Sequence, residues 1–146
     1  MFREFLKSKI HRAVITRADL DYEGSLTIDQ DLMDAAAISR YEKIDVYNIS
    51  NGQRFSTYAI PGERGSGTIG LNGAAARLGS VGDLVIIVSY VHLAEDEVQK
   101  HEPVIVLADP QNKIKTINKL AVWIAFIWSS LIWDSIEDYN EDIPPL

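Results

Sequence analysis

Val81-Gly82-Asp83 followed by Leu84-Val85-Ile86-Ile87-Val88-Ser89-Tyr90-Val91 is the stretch on which the fold turns. The apolar run is too continuous for a strand with one wet face, so it is predicted to be a core strand entered from a Gly-Asp turn. Working outward, Ile44 to Ile49 is a β-branched stretch stopped by Ser50-Asn51-Gly52, a hairpin-type turn signal, and Phe55 to Ile60 returns as a strand. Pro61-Gly62 is expected to break it, and Gly65-Ser66-Gly67 to open a loop. Ile69 to Leu71 reads as a strand, followed by a short helix begun by Asn72-Gly73 and carried by Ala74, Ala75 and Ala76. Toward the N-terminus, Leu26-Thr27-Ile28 is a short strand and Asp29 caps a helix predicted over Gln30 to Ala37. Phe2 to Asp19 reads as extended chain with a turn near Ala18-Asp19, and Val104 to Leu107 as the last core strand. Many short strands, Gly-rich turns and two short helices predict a mainly-β protein, a small barrel rather than a doubly wound α/β sheet.

A chain of 146 residues with 47% apolar content and no cysteine supports one core without disulfides, a thiolate nucleophile or a cysteine-ligated metal. Its histidines, His11, His92 and His101, form no ligand-spaced pair, and neither GxGxxG nor GxxxxGK[ST] occurs. A net charge of −7 argues against nucleic acid. Basic residues nevertheless crowd the start: Arg3, Lys7, Lys9, His11, Arg12 and Arg17, with Glu4 the only acid among them. Such a patch either steers a small anion or is a solvated strand face. The charged first dozen residues lack an apolar h-region, so a mature cytoplasmic protein is expected.

From Leu120 to Trp133 there is no charge at all, and then Asp134, Glu137, Asp138, Glu141 and Asp142 follow without a base. As a helix the apolar segment would be roughly 21 Å long, short of a bilayer core of roughly 30 Å. It is expected to pack against this chain or a neighbouring copy, with membrane contact disfavoured by the acidic tail.

Three Gly-Ser pairs occur, Gly24-Ser25, Gly65-Ser66 and Gly79-Ser80, and as dipeptides each reads as a turn. The first differs in its surroundings. Lys9, His11, Arg12 and Ala18-Asp19-Leu20 precede Tyr22-Glu23-Gly24-Ser25 and Ile28-Asp29. Then come Asn51-Gly52, Arg54-Phe55, Thr57-Tyr58-Ala59-Ile60, Glu63-Arg64-Gly65-Ser66-Gly67, Asn72-Gly73-Ala74-Ala75-Ala76 and Gly82-Asp83. In this order, from about Phe2 to about Val91, the constellation resembles the bacterial aspartate alpha-decarboxylase family, which makes β-alanine for pantothenate synthesis.

The resemblance implies a double-psi β-barrel, expected to occupy residues 1–118 and to assemble as a homotetramer with active sites between protomers; the apolar helix and acidic tail over 119–146 have no counterpart in it. It implies self-cleavage between Gly24 and Ser25, Ser25 becoming a covalent pyruvoyl group that replaces pyridoxal phosphate as electron sink, with no metal. A glycine on the acyl side leaves the carbonyl open to attack, and a free serine hydroxyl is weak enough to need geometry and oxyanion stabilisation. By the same resemblance Thr57 stabilises the oxyanion, and Tyr22, Gly24 and Asn72 line the processing site. Tyr58 protonates the product carbon, while Lys9 and Arg54 hold the carboxylates of L-aspartate, with Thr57, Gly73, Ala74 and Ala75 beside them. His11 is a candidate for proton transfer and equally reads as a structural histidine. Tyr47 stands where tryptophan is found in other members. A maturation helper protein is a further expected partner. Two alternatives stay open on the residues alone: an uncleaved, non-enzymatic barrel for binding or assembly, and a pyruvoyl enzyme for another amino acid.

Overall fold

The computed structural model describes residues 1–119. The apolar segment and acidic tail expected over 120–146 lie outside them. Nine strands are described: β1 (Phe2–Val14), β2 (Arg17–Asp19), β3 (Leu26–Asp29), β4 (Lys43–Asn48), β5 (Arg54–Gly62), β6 (Ile69–Asn72), β7 (Leu84–Ala94), β8 (Val104–Ala108) and β9 (Ile114–Lys119). They form one sheet in the order β2-β6-β3-β5-β4-β7-β1-β8-β9. The helical pieces are α1 (Gln30–Ala35), a 3-10 helix over Gly73–Arg77, and α2 (Glu95–Val98).

One connection shows that the sheet is curled. β2 opens the strand order and β1 stands six places along it, yet only Ile15 and Thr16 separate them in sequence. In a flat sheet six spacings would be about 29 Å, whereas so short a link spans about 10 Å. Both linking residues are pinned: Ile15 N donates to Asp83 O and Thr16 N to Ile69 O, each at 2.9 Å. The far end of the sheet is thereby drawn back onto β1, although no strand ladder closes the circuit among the described residues.

The core lies inside this curl. Ile10, Ile87 and Val46 sit in register across β1, β7 and β4, all fully buried. Leu26, Ile28, Ile69 and Leu71 do the same on β3 and β6. Each such side chain contributes roughly 1.5–3 kcal/mol by burial. The Leu84–Val91 run is the first part of β7, held between β4 and β1, which accounts for its continuous apolarity.

Several boundaries differ from expectation, each for a physical reason. The extended N-terminal segment breaks at Ile15-Thr16, while its turn comes directly after Asp19, near where it is expected. α1 stops at Ala35, because Ala37 adopts a left-handed φ of 52° and Ile38 N closes back on Met33 O at 2.9 Å. β5 continues through Pro61-Gly62, which pair with Ile28 and Asp29 in a parallel ladder. Gly62 makes that close approach feasible, since a Cβ there would lie 3.0 Å from Thr27 Cγ2. β8 is followed by a further strand, β9, whose two isoleucines, Ile114 and Ile117, stand three apart and exposed, so this edge strand leaves no period-2 apolar pattern to read.

Candidate active site

Gly24 and Ser25 form a strained junction immediately before β3. Their φ angles are +71° and +87°, and Ser25 is only 4% exposed. A serine in that region costs of order 1–3 kcal/mol and persists only where its surroundings impose it. The surroundings are on three sides. Gly24 N donates to Tyr22 O at 2.7 Å, folding the acyl side into a tight three-residue turn. Asn72 N donates to Ser25 O at 3.1 Å, tying the other side to β6. Gly73, itself at φ +58°, presses on the turn from outside. A Cβ on Gly73 would lie 2.9 Å from both Gly24 N and Tyr22 O, so the turn and the 3-10 helix meet backbone to backbone.

The serine hydroxyl has a defined donor. Asn72, fully buried, directs Nδ2 to Ser25 Oγ at 3.3 Å and to Thr27 Oγ1 at 2.8 Å. A cleft of about 300 Å³ opens against this group, lined by Gly24, Ser25, Phe55, Thr57, Tyr58, Asn72, Ala74 and Ala75 among others. A second cleft of about 410 Å³ reaches the same peptide from the side of Tyr22, Glu23, Arg40 and Tyr41. Gly24, Ser25 and Tyr58 belong to both, so the junction is a partition accessible from two directions. Tyr58 Oη donates a long hydrogen bond, 3.5 Å, to Glu23 O, and its ring packs 6.1 Å from that of Tyr41.

The residues expected at the site therefore divide. Gly24, Ser25, Thr57, Tyr58, Asn72, Ala74 and Ala75 come together, with Gly73 as the buttress and Tyr22 lining the second cleft. Lys9 and Arg54 line neither cleft. They lie instead on one outer sheet face: Lys9 is in register with Val88, Val88 with Asp45 and Asp45 with Ser56, two residues from Arg54. That row is about 14 Å long, and Arg54 stands about 13 Å along β5 from Tyr58. The Arg54 guanidinium lies 4.5 Å over the Tyr47 ring, whose hydroxyl meets that of Tyr90 at 2.8 Å. Burial and that hydrogen bond push the Tyr47 hydroxyl up to about 12. Among the described residues neither Lys9 nor Arg54 is in a salt bridge.

His11 lies outside both clefts as well, on β1 opposite Leu107 of β8. Its Nδ1 is buried without a hydrogen-bond partner, and burial, then the charges of Lys9 and Arg12, lower its pKa from the ordinary value. That direction favours the neutral imidazole, and the residue is held in the sheet.

Two supports were not legible as site residues. Asp29 caps α1 and also accepts from Gly65 N at 3.0 Å and Gly67 N at 2.6 Å, fixing the glycine loop beside β3. Burial opposes its ionisation, but the amides of Gly67, Asp31 and Gly65 outweigh this and hold its carboxyl below the usual range. Asn112, at φ +58° and 2% exposed, binds Val14 N, Val14 O and Gly67 O at 2.7, 2.8 and 2.7 Å. It locks the β8–β9 turn onto the end of β1. Among the described residues no cluster of His, Asp and Glu is arranged to hold a metal ion, and no helix is long and apolar enough to cross a membrane.

Comparison with known proteins identifies the family. Residues 1–115 match the family model described as aspartate decarboxylase. A protein of Desulfotalea psychrophila named aspartate 1-decarboxylase is 58% identical over 119 residues, covering 82% of this chain and 100% of that protein. Proteins of the same name from Ralstonia pickettii and Neisseria meningitidis are 57% and 59% identical, covering 82% and 80% of this chain and 99% and 92% of their own lengths. The strained Gly-Ser junction, its asparagine donor and its glycine buttress all fall inside the matched region. The chain belongs to the aspartate decarboxylase family.

Proposed function

We propose that this protein cleaves its own Gly24–Ser25 bond and then converts L-aspartate to β-alanine and CO₂, the step that supplies β-alanine for pantothenate and coenzyme A. The observation that carries this reading is the junction itself. A buried serine follows a glycine, both at positive φ, with its Oγ beside an amide donor at the mouth of a cleft.

In the cleavage, Ser25 Oγ attacks the Gly24 carbonyl carbon, the C–N bond breaks, and the Ser25 nitrogen takes up the proton. Gly24 has no Cβ to shield its carbonyl, and part of the distortion needed for attack is already present in the ground state. Thr57, lining the cleft, is the donor for the oxyanion on Gly24 O. Elimination from the resulting ester releases residues 1–24 with a Gly24 carboxylate, and hydrolysis releases the nitrogen as ammonia. A pyruvoyl group made from residue 25 would keep that residue's Cα, Cβ and carbonyl, Oγ having left on the Gly24 carboxylate and the ketone oxygen having come from water, and Asn72 N would still hold the retained carbonyl, to which it donates at 3.1 Å. Bound there, it supplies the electron sink for the pair left when CO₂ departs. Neither pyridoxal phosphate nor metal enters this reading.

Tyr58 Oη, shared by both clefts, holds the proton that goes to the product carbon. Arg54 grips one substrate carboxylate as a fork and Lys9 attracts the other as a point charge. Since neither lines the cleft of its own Ser25, both serve the site of a neighbouring copy, which is the arrangement expected of a homotetramer of double-psi barrels. The family match ends at residue 115, in keeping with a decarboxylase domain over 1–118 and an appended 119–146 segment. A cytoplasmic location and dependence of maturation on a helper protein belong to the same reading.

The test is turnover. Purified protein offered L-aspartate, L-glutamate and other amino acids should release β-alanine from aspartate selectively, followed by NMR. Arg54→Ala should raise KM at least tenfold. Unchanged aspartate turnover in that variant would sink the substrate assignment, and no decarboxylation of any amino acid would favour a non-enzymatic module.

A further inference from the structure

We propose that Arg17 is a positioning residue for self-cleavage, clamping both sides of the Gly24–Ser25 bond at once. The inference rests on the cleavage reading above and names a residue that lies outside the nucleophile and its direct donors. Arg17 opens β2, in register with Gly70 of β6. Its guanidinium lies against that glycine, where a Cβ would come within 3.3 Å of both Nε and Nη2. From there Nη2 donates to Asn72 Oδ1 and to Thr27 Oγ1, each at 3.4 Å, and Cζ sits 5.4 Å over the Tyr22 ring.

These contacts decide which way the Asn72 carboxamide faces. A guanidinium only donates, so it accepts no orientation of Asn72 other than Oδ1 toward itself. Nδ2 is then turned to Ser25 Oγ and Thr27 Oγ1. In that orientation a lone pair of Ser25 Oγ receives a hydrogen bond and its proton stays free to leave, as an attacking oxygen requires. The flipped amide would instead take the serine proton into Oδ1 and hold the hydroxyl as a donor. On the acyl side, stacking on Tyr22 steadies the residue whose carbonyl accepts from Gly24 N. One cation thus orders the hydroxyl through Asn72 and the acyl turn through Tyr22.

The experiment follows cleavage of freshly expressed chains by denaturing mass spectrometry, with melting measured in parallel. Arg17→Met, which keeps the stem and removes every donor, should slow cleavage about tenfold, as expected for two weak hydrogen bonds lost. Arg17→Lys, which retains charge and a donor, should cleave at a rate between those of Arg17→Met and wild type. In an Asn72→Ala background Arg17→Met should add only about twofold further slowing, because of the two groups it orders only Tyr22 remains. A merely structural arginine would slow both backgrounds alike. Wild-type rates in Arg17→Met, a lysine variant slower than the methionine one, or multiplicative slowing in the double variant each overturn the inference. If wild type cleaves and Arg17→Met cleaves equally fast, this proposal alone fails; if wild type never cleaves, the cleavage reading fails with it.

Discussion

Replacing Gly73 by alanine tests whether the 3-10 helix buttresses the scissile turn. Two costs add at this position. An L-residue at φ +58° costs about 1–2 kcal/mol. The new methyl would also lie 2.9 Å from Gly24 N and Tyr22 O and 3.0 Å from Gly24 Cα, all backbone atoms that cannot rotate aside. Overpacking of that kind costs about 1–3 kcal/mol more. The sum, about 2–5 kcal/mol, predicts a melting point lower by roughly 10 °C for a chain of this size. Gly52→Ala is the matched control, because Gly52 has φ +78° but nothing within 4 Å of an added Cβ. It should lose only the conformational part, about 1–2 kcal/mol. Cleavage should separate the two further. Moving Gly24 by a fraction of an ångström to 1 Å misaligns its carbonyl with Ser25 Oγ and should slow cleavage by about 10²-fold in Gly73→Ala, with Gly52→Ala close to wild type. Calorimetry and a mass-spectrometric time course read both effects. Equal melting points and equal cleavage rates in the two variants would refute the buttress.

Other outcomes follow from the same geometry. Asn112→Ala removes three buried hydrogen bonds to Val14 and Gly67 and should destabilise the fold by about 2–3 kcal/mol in urea titrations, leaving cleavage chemistry intact in chains that fold. Asp29 has a folded pKa below its unfolded value of 3.8, so its contribution is present above about pH 4 and lost as pH falls through the folded pKa. Stability curves of Asp29→Asn should accordingly fall less steeply than wild type in acid. Tyr58→Phe should still cleave but turn over aspartate 10²–10⁴-fold more slowly, a loss typical of a missing general acid, as roughly estimated; full turnover would remove Tyr58 from its role.

The fold was most legible where burial dictated composition. β7 could be read from Leu84–Val91, and the β4–β5 hairpin from Ile44–Ile49, Ser50-Asn51-Gly52 and Phe55–Ile60, since core strands leave apolar runs and tight turns leave Asn-Gly. β9 and α2 escaped because Ile114 and Ile117 are exposed and three apart, and Glu95–Val98 buries nothing. At the site, Ser25, Thr57, Tyr58 and Asn72 were legible through a resemblance and not through spacing, as Gly24-Ser25 is one of three such pairs. Arg17 read only as one of a crowd of cations, because its partners Asn72, Thr27 and Gly70 are brought to it by the curl that joins β2 to β6. For Lys9 and Arg54 the spacing carried no sign that they stand outside the clefts that meet at their own Ser25.

The central claim is that this strained junction breaks. Denaturing mass spectrometry of the intact purified protein tests it most directly. Two chains are expected, residues 1–24 ending in a free Gly24 carboxylate and residues 25–146 lacking an N-terminal amine, and a single whole chain for Ser25→Ala. A wild-type chain that stays whole after prolonged warm incubation, or one cut at Gly65-Ser66 or Gly79-Ser80 instead, would contradict it.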